Sequence, residues 1–197
     1  GTEWLFFGEP TPGNANVTTG YSGVLDPPYV SEAGSPFSSP TTITISTATP
    51  DAEIYYTMDG SYPNDGSTLY TDPLYVDDNT ILRTVAIKQG WLNSRPSTHS
   101  YLFDYTGELP VVSLSTNPEH FWDNDPGIFV LGPNASSDFP YFGANFWEDW
   151  ERPIHIGMFE PDGELAFSTG AGVKIYGNYS RAFPQKSLTI FARSAYG

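Results

Sequence analysis

Turn-forming residues interrupt this chain so regularly that no long helix has room to form. Gly (19) and Pro (18) are spread along all 197 residues rather than gathered in one tail. With Asn and Asp clusters they divide the sequence into short apolar segments of strand length. No window holds apolar residues at the 3.6-residue period of an amphipathic helix. Hydrophobic residues make up 39% and aromatics 16%, so a substantial core can form. The pattern predicts an all-β chain.

Residues 35–104 read most clearly. Thr42-Ile43-Thr44-Ile45-Ser46 alternates with period two, as a half-buried strand does. Glu53 to Met58 follows, and Asp59-Gly60-Ser61 supplies a turn with a residue able to take positive φ. Leu74 to Val76, Thr80 to Ile87 and Ser97 to Phe103 are three more strands between turns. Short strands at this spacing predict a β-sandwich over 36–104. Residues 1–35, with the short apolar run Trp4 to Phe7, read as a turn-rich connector or the end of a preceding domain. Pro110 opens a second β-rich stretch over 109–197. Its expected strands are Val111–Leu114, Gly127–Leu131, Pro153–Ile156, Glu164–Phe167, Gly172–Tyr176 and Ser187–Phe191. Asp162-Gly163 is a hairpin signal. Asn117 to Trp122 reads as one helical turn capped by Asn117, with Pro118 at its first position.

Charge narrows the partners. The formal net charge is −15, which disfavours nucleic acid and anionic membrane surfaces. No Lys or Arg precedes Arg83. Residues 152–197 differ, with five basic residues against Glu160, Asp162 and Glu164, a net of +2. That is the stretch suited to an anionic ligand. There is no Cys, and no apolar run of membrane-spanning length. The chain begins without Met and stops just after a strand-like run, so it is expected to be a piece of a longer, exported bacterial protein at the cell surface or outside the cell.

Three segments carry family resemblances. Ile54-Tyr55-Tyr56-Thr57-Met58-Asp59-Gly60-Ser61-Tyr62-Pro63 resembles the IYYTxDGSxP signature of the chitobiase/β-hexosaminidase C-terminal-type domain. Leu82 to Ala86 and Gly90 to Ser94 sit where that family places its later elements. The resemblance implies an immunoglobulin-like sandwich without catalytic residues of its own. Residues 109–197 resemble the beginning of a CotH kinase-family domain. The carrying residues are Leu109–Leu114, Asp125–Val130, Trp150–Pro153, Gly172–Gly177, Ser180-Arg181 and Gln185–Leu188. Thr11 to Asn16 resembles the exit of a lamin-tail-type domain.

The CotH resemblance implies a kinase-like parent using ATP with Mg²⁺ or Mn²⁺, whose helical body would lie beyond Gly197. It also places a basic residue at Lys186, making Lys186 the first candidate phosphate contact and Arg181 the second. Lys acts on phosphate as a point charge and Arg bidentately. On spacing alone the two are solvated charges flanking a strand.

Other constellations are weaker. Asp123, Asp125, Glu148, Asp149 and Glu151, with Asn124 and Asn134, could supply oxygens to Ca²⁺, but the twelve-residue loop pattern is absent and turn-forming roles are preferred. The same applies to Asp59, Asp65 and Asp72. His99, His120 and His155 are scattered without zinc spacing. Thr169-Gly170-Ala171-Gly172 precedes a strand, which fails the context of a dinucleotide loop. Trp91, Phe146, Trp147 and Trp150 could stack on sugars, although aromatics in a sandwich belong mostly to the core. Asn16, Asn134 and Asn178 lie in sequons, which say little for a bacterial protein. No catalytic or metal residue is assigned, and no cofactor within these residues. The expectation is a non-catalytic accessory or spacer segment that touches neighbouring domains, surface proteins or polysaccharide. The alternatives are the nucleotide-binding first part of an atypical kinase, or a carbohydrate-binding module.

Overall fold

The structure, a computed structural model, describes residues 4–34, 36–37, 39–103, 105 and 107–196. The ends Gly1–Glu3 and Gly197, and positions 35, 38, 104 and 106, lie outside the described residues. The fold is nearly all β, as the turn spacing predicts. It divides into two compact units, one of residues 1–58 and 62–105, the other of residues 106–197 with 59–61.

Among the described residues the first unit contains nine strands: β1 (Tyr29–Val30), β2 (Pro36–Phe37), β3 (Thr41–Ile43), β4 (Ile45–Ser46), β5 (Glu53–Thr57), β6 (Thr68–Leu69), β7 (Leu74–Val76), β8 (Thr80–Ile87) and β9 (Ser97–Phe103). One sheet has the order β2-β9-β8-β5-β6, antiparallel except where β2 runs parallel to β9. Two ribbons, β1-β4 and β3-β7, make the opposing layer. Ile43, Ile45, Val30 and Val76 from the ribbons pack against Ile54, Leu82 and Tyr101 of the large sheet. That apolar layer, removed from water, holds the sandwich together.

The alternating run at 41–46 does not stay in one ribbon. Ile43 and Ile45 are both buried, as alternation requires, but β3 pairs with β7 while β4 pairs with β1. Thr44 marks the change: its amide donates to Ser31 Oγ and its carbonyl accepts from the Ser31 amide. Residues upstream of 36 take part in the core through Val30 and Leu25, and Leu92 bridges to Val24. The run Trp4–Phe7 makes a single bridge, Phe6 to Tyr21, rather than a strand.

The second unit is a four-stranded antiparallel sheet in the order β10 (Val111–Ser115), β11 (Arg152–Phe159), β12 (Leu165–Tyr176) and β13 (Ser187–Phe191). Asp162-Gly163 turns the chain between β11 and β12, with Gly163 at φ 88° and the Glu164 amide on Asp162 Oδ1. One helical turn, α1 (Glu119–Trp122), follows β10, with Pro118 rather than Asn117 at the cap position.

Two expected features differ. Gly127–Leu131 is irregular, because its amides turn back onto the helical turn: Ile128 donates to the His120 carbonyl and Phe129 to that of Phe121. Glu164–Phe167 and Gly172–Tyr176 are not separate strands, since β12 runs unbroken through the glycines between them. Those glycines serve close approach. A Cβ on Gly170 would stand 2.0 Å from the Tyr196 carbonyl oxygen, and one on Gly172 would stand 2.3 Å from Glu151 Oε1. Glu151 in turn accepts from Arg193 Nε and Nη2 at 2.9 Å each and from the Tyr196 hydroxyl at 2.7 Å.

Candidate functional site

Between β10 and β11 the chain runs for 36 residues, Thr116 to Glu151, with only two short helical pieces. A loop this long needs internal anchors to hold one shape. Asn145 is the main one. It is buried, and its side-chain nitrogen lies 3.0 Å from each of the carbonyl oxygens of Asn124, Asp125 and Gly127. Gly132, at φ 73°, leaves room for this amide, because a Cβ there would collide with Asn145 Oδ1. Arg152 donates from Nε and Nη2 to the Pro126 carbonyl, and Trp147 donates from Nε1 to that of Pro140.

This scaffold, with the segment before β13, borders an open pocket of about 440 Å³. Phe139, Phe146 and Phe183 form aromatic walls, Tyr141, Leu131, Ala182 and Pro184 complete the lining, and Lys186 supplies its one charge. The Phe139 and Phe183 rings stack on each other, 6.1 Å between centres and 14° from parallel. Phe139 is 56% exposed and Phe183 50% exposed, so both rings also face solvent. Phe146 is buried at the back.

Lys186 Nζ sits 4.2 Å from the centre of the Phe146 ring and donates to the Phe183 carbonyl at 2.8 Å. The ring face is electron-rich and favours a cation there. Burial pushes the ammonium below its usual pKa, and no acidic neighbour offsets that effect. The salt bridges among the described residues leave Lys186 without a carboxylate. A cation on an aromatic wall, with donor capacity left over, is suited to hold an anion.

Arg181 has a different placement. Its Nε donates to the Gly177 carbonyl at 2.7 Å and Nη1 to that of Trp147 at 3.2 Å. It fastens the helical turn Tyr179–Ala182 to the long loop. The acidic positions are dispersed. Asp123 accepts from the Asp125 amide, Asp149 pairs with Lys174, Glu151 pairs with Arg193, and Asp59 accepts from Ser61. Among the described residues no three His, Asp or Glu side chains gather to hold a metal ion. His99 contacts Ser97, His120 contacts Thr116 and His155 contacts Ser168. Trp147 and Trp150 pack partly on the second unit's core, and Trp91 lies against Gly23.

Phe139 and Phe183 escaped the sequence reading. A signal did exist: both stand directly before proline, in Phe139-Pro140 and Phe183-Pro184. A residue before proline is biased to extended backbone, outside helix periodicity.

In the first unit, β5 and the turn after it carry the residues 54–63, and Gly60 takes φ 82°. Residues 32–100 match the family model of the chitobiase/beta-hexosaminidase C-terminal domain. Within this chitobiase C-terminal-type module Ser94 has a structural task. It is buried, donates its amide to the Ala86 carbonyl, and accepts from the Ala86 amide through Oγ. It thereby secures the end of β8. No curated protein and no solved structure matches the chain. The aromatic pocket lies outside the matched residues, and the resemblances at 109–197 and 11–16 rest on sequence motifs alone.

Proposed function

We propose that this chain is a non-catalytic accessory segment of an exported, multidomain, CotH-like surface protein. In this reading the chitobiase C-terminal-type module is a spacer, and the second unit recognises a ligand, with polysaccharide the favoured class. The observation that carries the reading is the family match over 32–100, because the resemblance that named this family implies an appended sandwich without catalytic residues. The pocket at Lys186 supports a binding role for the second unit. The test is turnover by the 197-residue chain. Incubated with labelled ATP, Mg²⁺ or Mn²⁺ and acceptor protein, or with chromogenic N-acetylglucosaminides, it should release nothing above blank. Reproducible phosphate transfer or glycoside cleavage would sink the reading.

One observation favours a second reading, in which residues 109–197 are the nucleotide-binding part of an atypical kinase. Lys186 lies in the wall of an aromatic cavity large enough for a purine. Titration calorimetry with Mg·ATP decides it: heat that disappears in Lys186→Ala supports nucleotide, and no heat removes it.

A further inference from the structure

The lining of the second unit's pocket constrains its ligand more tightly than the word polysaccharide does. Its walls are aromatic faces, which stack on the C–H face of a pyranose as well as on a base. Phe139 and Phe183 are already stacked on each other, so they present an outer platform and not a slot for a flat ring. The charge is a single ammonium. One of its protons is committed to the Phe183 carbonyl and its positive face to Phe146, and among the described residues it has no carboxylate partner. Arg181 engages the carbonyls of Gly177 and Trp147, so its role is in the scaffold. A polyphosphate would need several cations, or a metal held by carboxylates, and the lining supplies neither. One carboxylate on a ring with an apolar face is the matching complement.

We infer that this pocket binds a hexuronate unit of an acidic polysaccharide, with the sugar face on Phe139 and Phe183 and the carboxylate on Lys186. The inference rests on the accessory reading and adds the ligand class. Because binding is carried by one ion pair beside an apolar contact, it should weaken with salt and with neutralisation of the sugar.

The test is calorimetry of the full chain with trigalacturonate, its methyl ester, chitotriose and Mg·ATP. Trigalacturonate should bind, and its methyl ester at least ~10-fold more weakly, the loss expected for one charge-assisted hydrogen bond. Lys186→Gln should lose the acid-over-ester preference, and Lys186→Arg should retain it. Phe183→Ala should weaken acid and ester alike. Near-ultraviolet circular dichroism of each variant shows whether the fold is kept, and Lys186→Arg covers the case in which Lys186→Gln unfolds. Equal affinity for acid and ester, tighter binding of Mg·ATP or chitotriose, or no binding of trigalacturonate at millimolar concentration would each overturn the assignment. None of those outcomes touches the accessory reading, which fails on turnover instead.

Discussion

The two units reach a fixed shape by different means. In the first, seven buried apolar side chains, one from each of seven strands, meet in one layer, and the loops between them are short. In the second, the sheet is regular but the pocket is built from the segment before β13 and from a 36-residue loop held by polar side chains on backbone carbonyls. Apolar burial is non-directional and tolerates small shifts, whereas a hydrogen-bonded anchor fixes position to a few tenths of an ångström. The first arrangement suits a spacer, and the second suits a site whose lining side chains must keep fixed positions.

That contrast can be broken by mutation. Leu82, fully buried in β8, should cost the first unit ~3 kcal/mol when replaced by Ala, from lost burial and the cavity left behind. Asn145→Ala should cost the second unit ~2 kcal/mol, because three carbonyls lose their donor, and it should open the pocket. Segment-resolved hydrogen exchange reads both. If Asn145→Ala leaves protection of residues 116–151 unchanged, the polar-anchor account of the second unit is wrong. Gly172→Ala should cost ~1 kcal/mol and free Tyr196 from β12, because a Cβ there meets Glu151 and Tyr196. Proteolysis from the C-terminal end checks it.

The smallest effect separates the units by pH. Burial holds His99 below the ordinary imidazole value of 6.5, against a weaker opposing hydrogen bond to Ala33. The unfolded chain takes that proton more readily than the folded one, so stability of the first unit should fall as pH drops below 6.5. His99→Gln should flatten that slope in pH-dependent denaturant melts. In the second unit, hydrogen bonds from Arg193 and Tyr196 hold Glu151 below its usual 4.5. Its contribution is present above that value and is lost as pH falls through the lowered one. The C-terminal contacts should therefore survive the window in which the first unit has begun to weaken.

Strand positions were largely legible before the structure. Thr80–Ile87, Ser97–Phe103 and Ser187–Phe191 have the bounds that turn residues on either side set for them. The loop around the pocket was not. Gly127–Leu131 is as apolar as a strand, but Ile128 is buried against a helical turn and not in a ladder. Composition alone does not separate those two uses of an apolar run. Lys186 was legible only through a resemblance, and Phe139 and Phe183 through nothing periodic. Their meeting depends on Asn145, Arg152 and Arg181 folding a long segment back on itself, an outcome of three-dimensional hydrogen bonding that local patterning does not encode.

Gly170 and Gly172 form a socket for the last described residue. With Glu151 gripping both Arg193 and the Tyr196 hydroxyl, the segment after β13 is held against β12. A fluorescent reporter attached at Ser194, exposed between those two anchors, would therefore tumble with the sheet. Its anisotropy would report the orientation of β12 rather than the wandering of a loose tail.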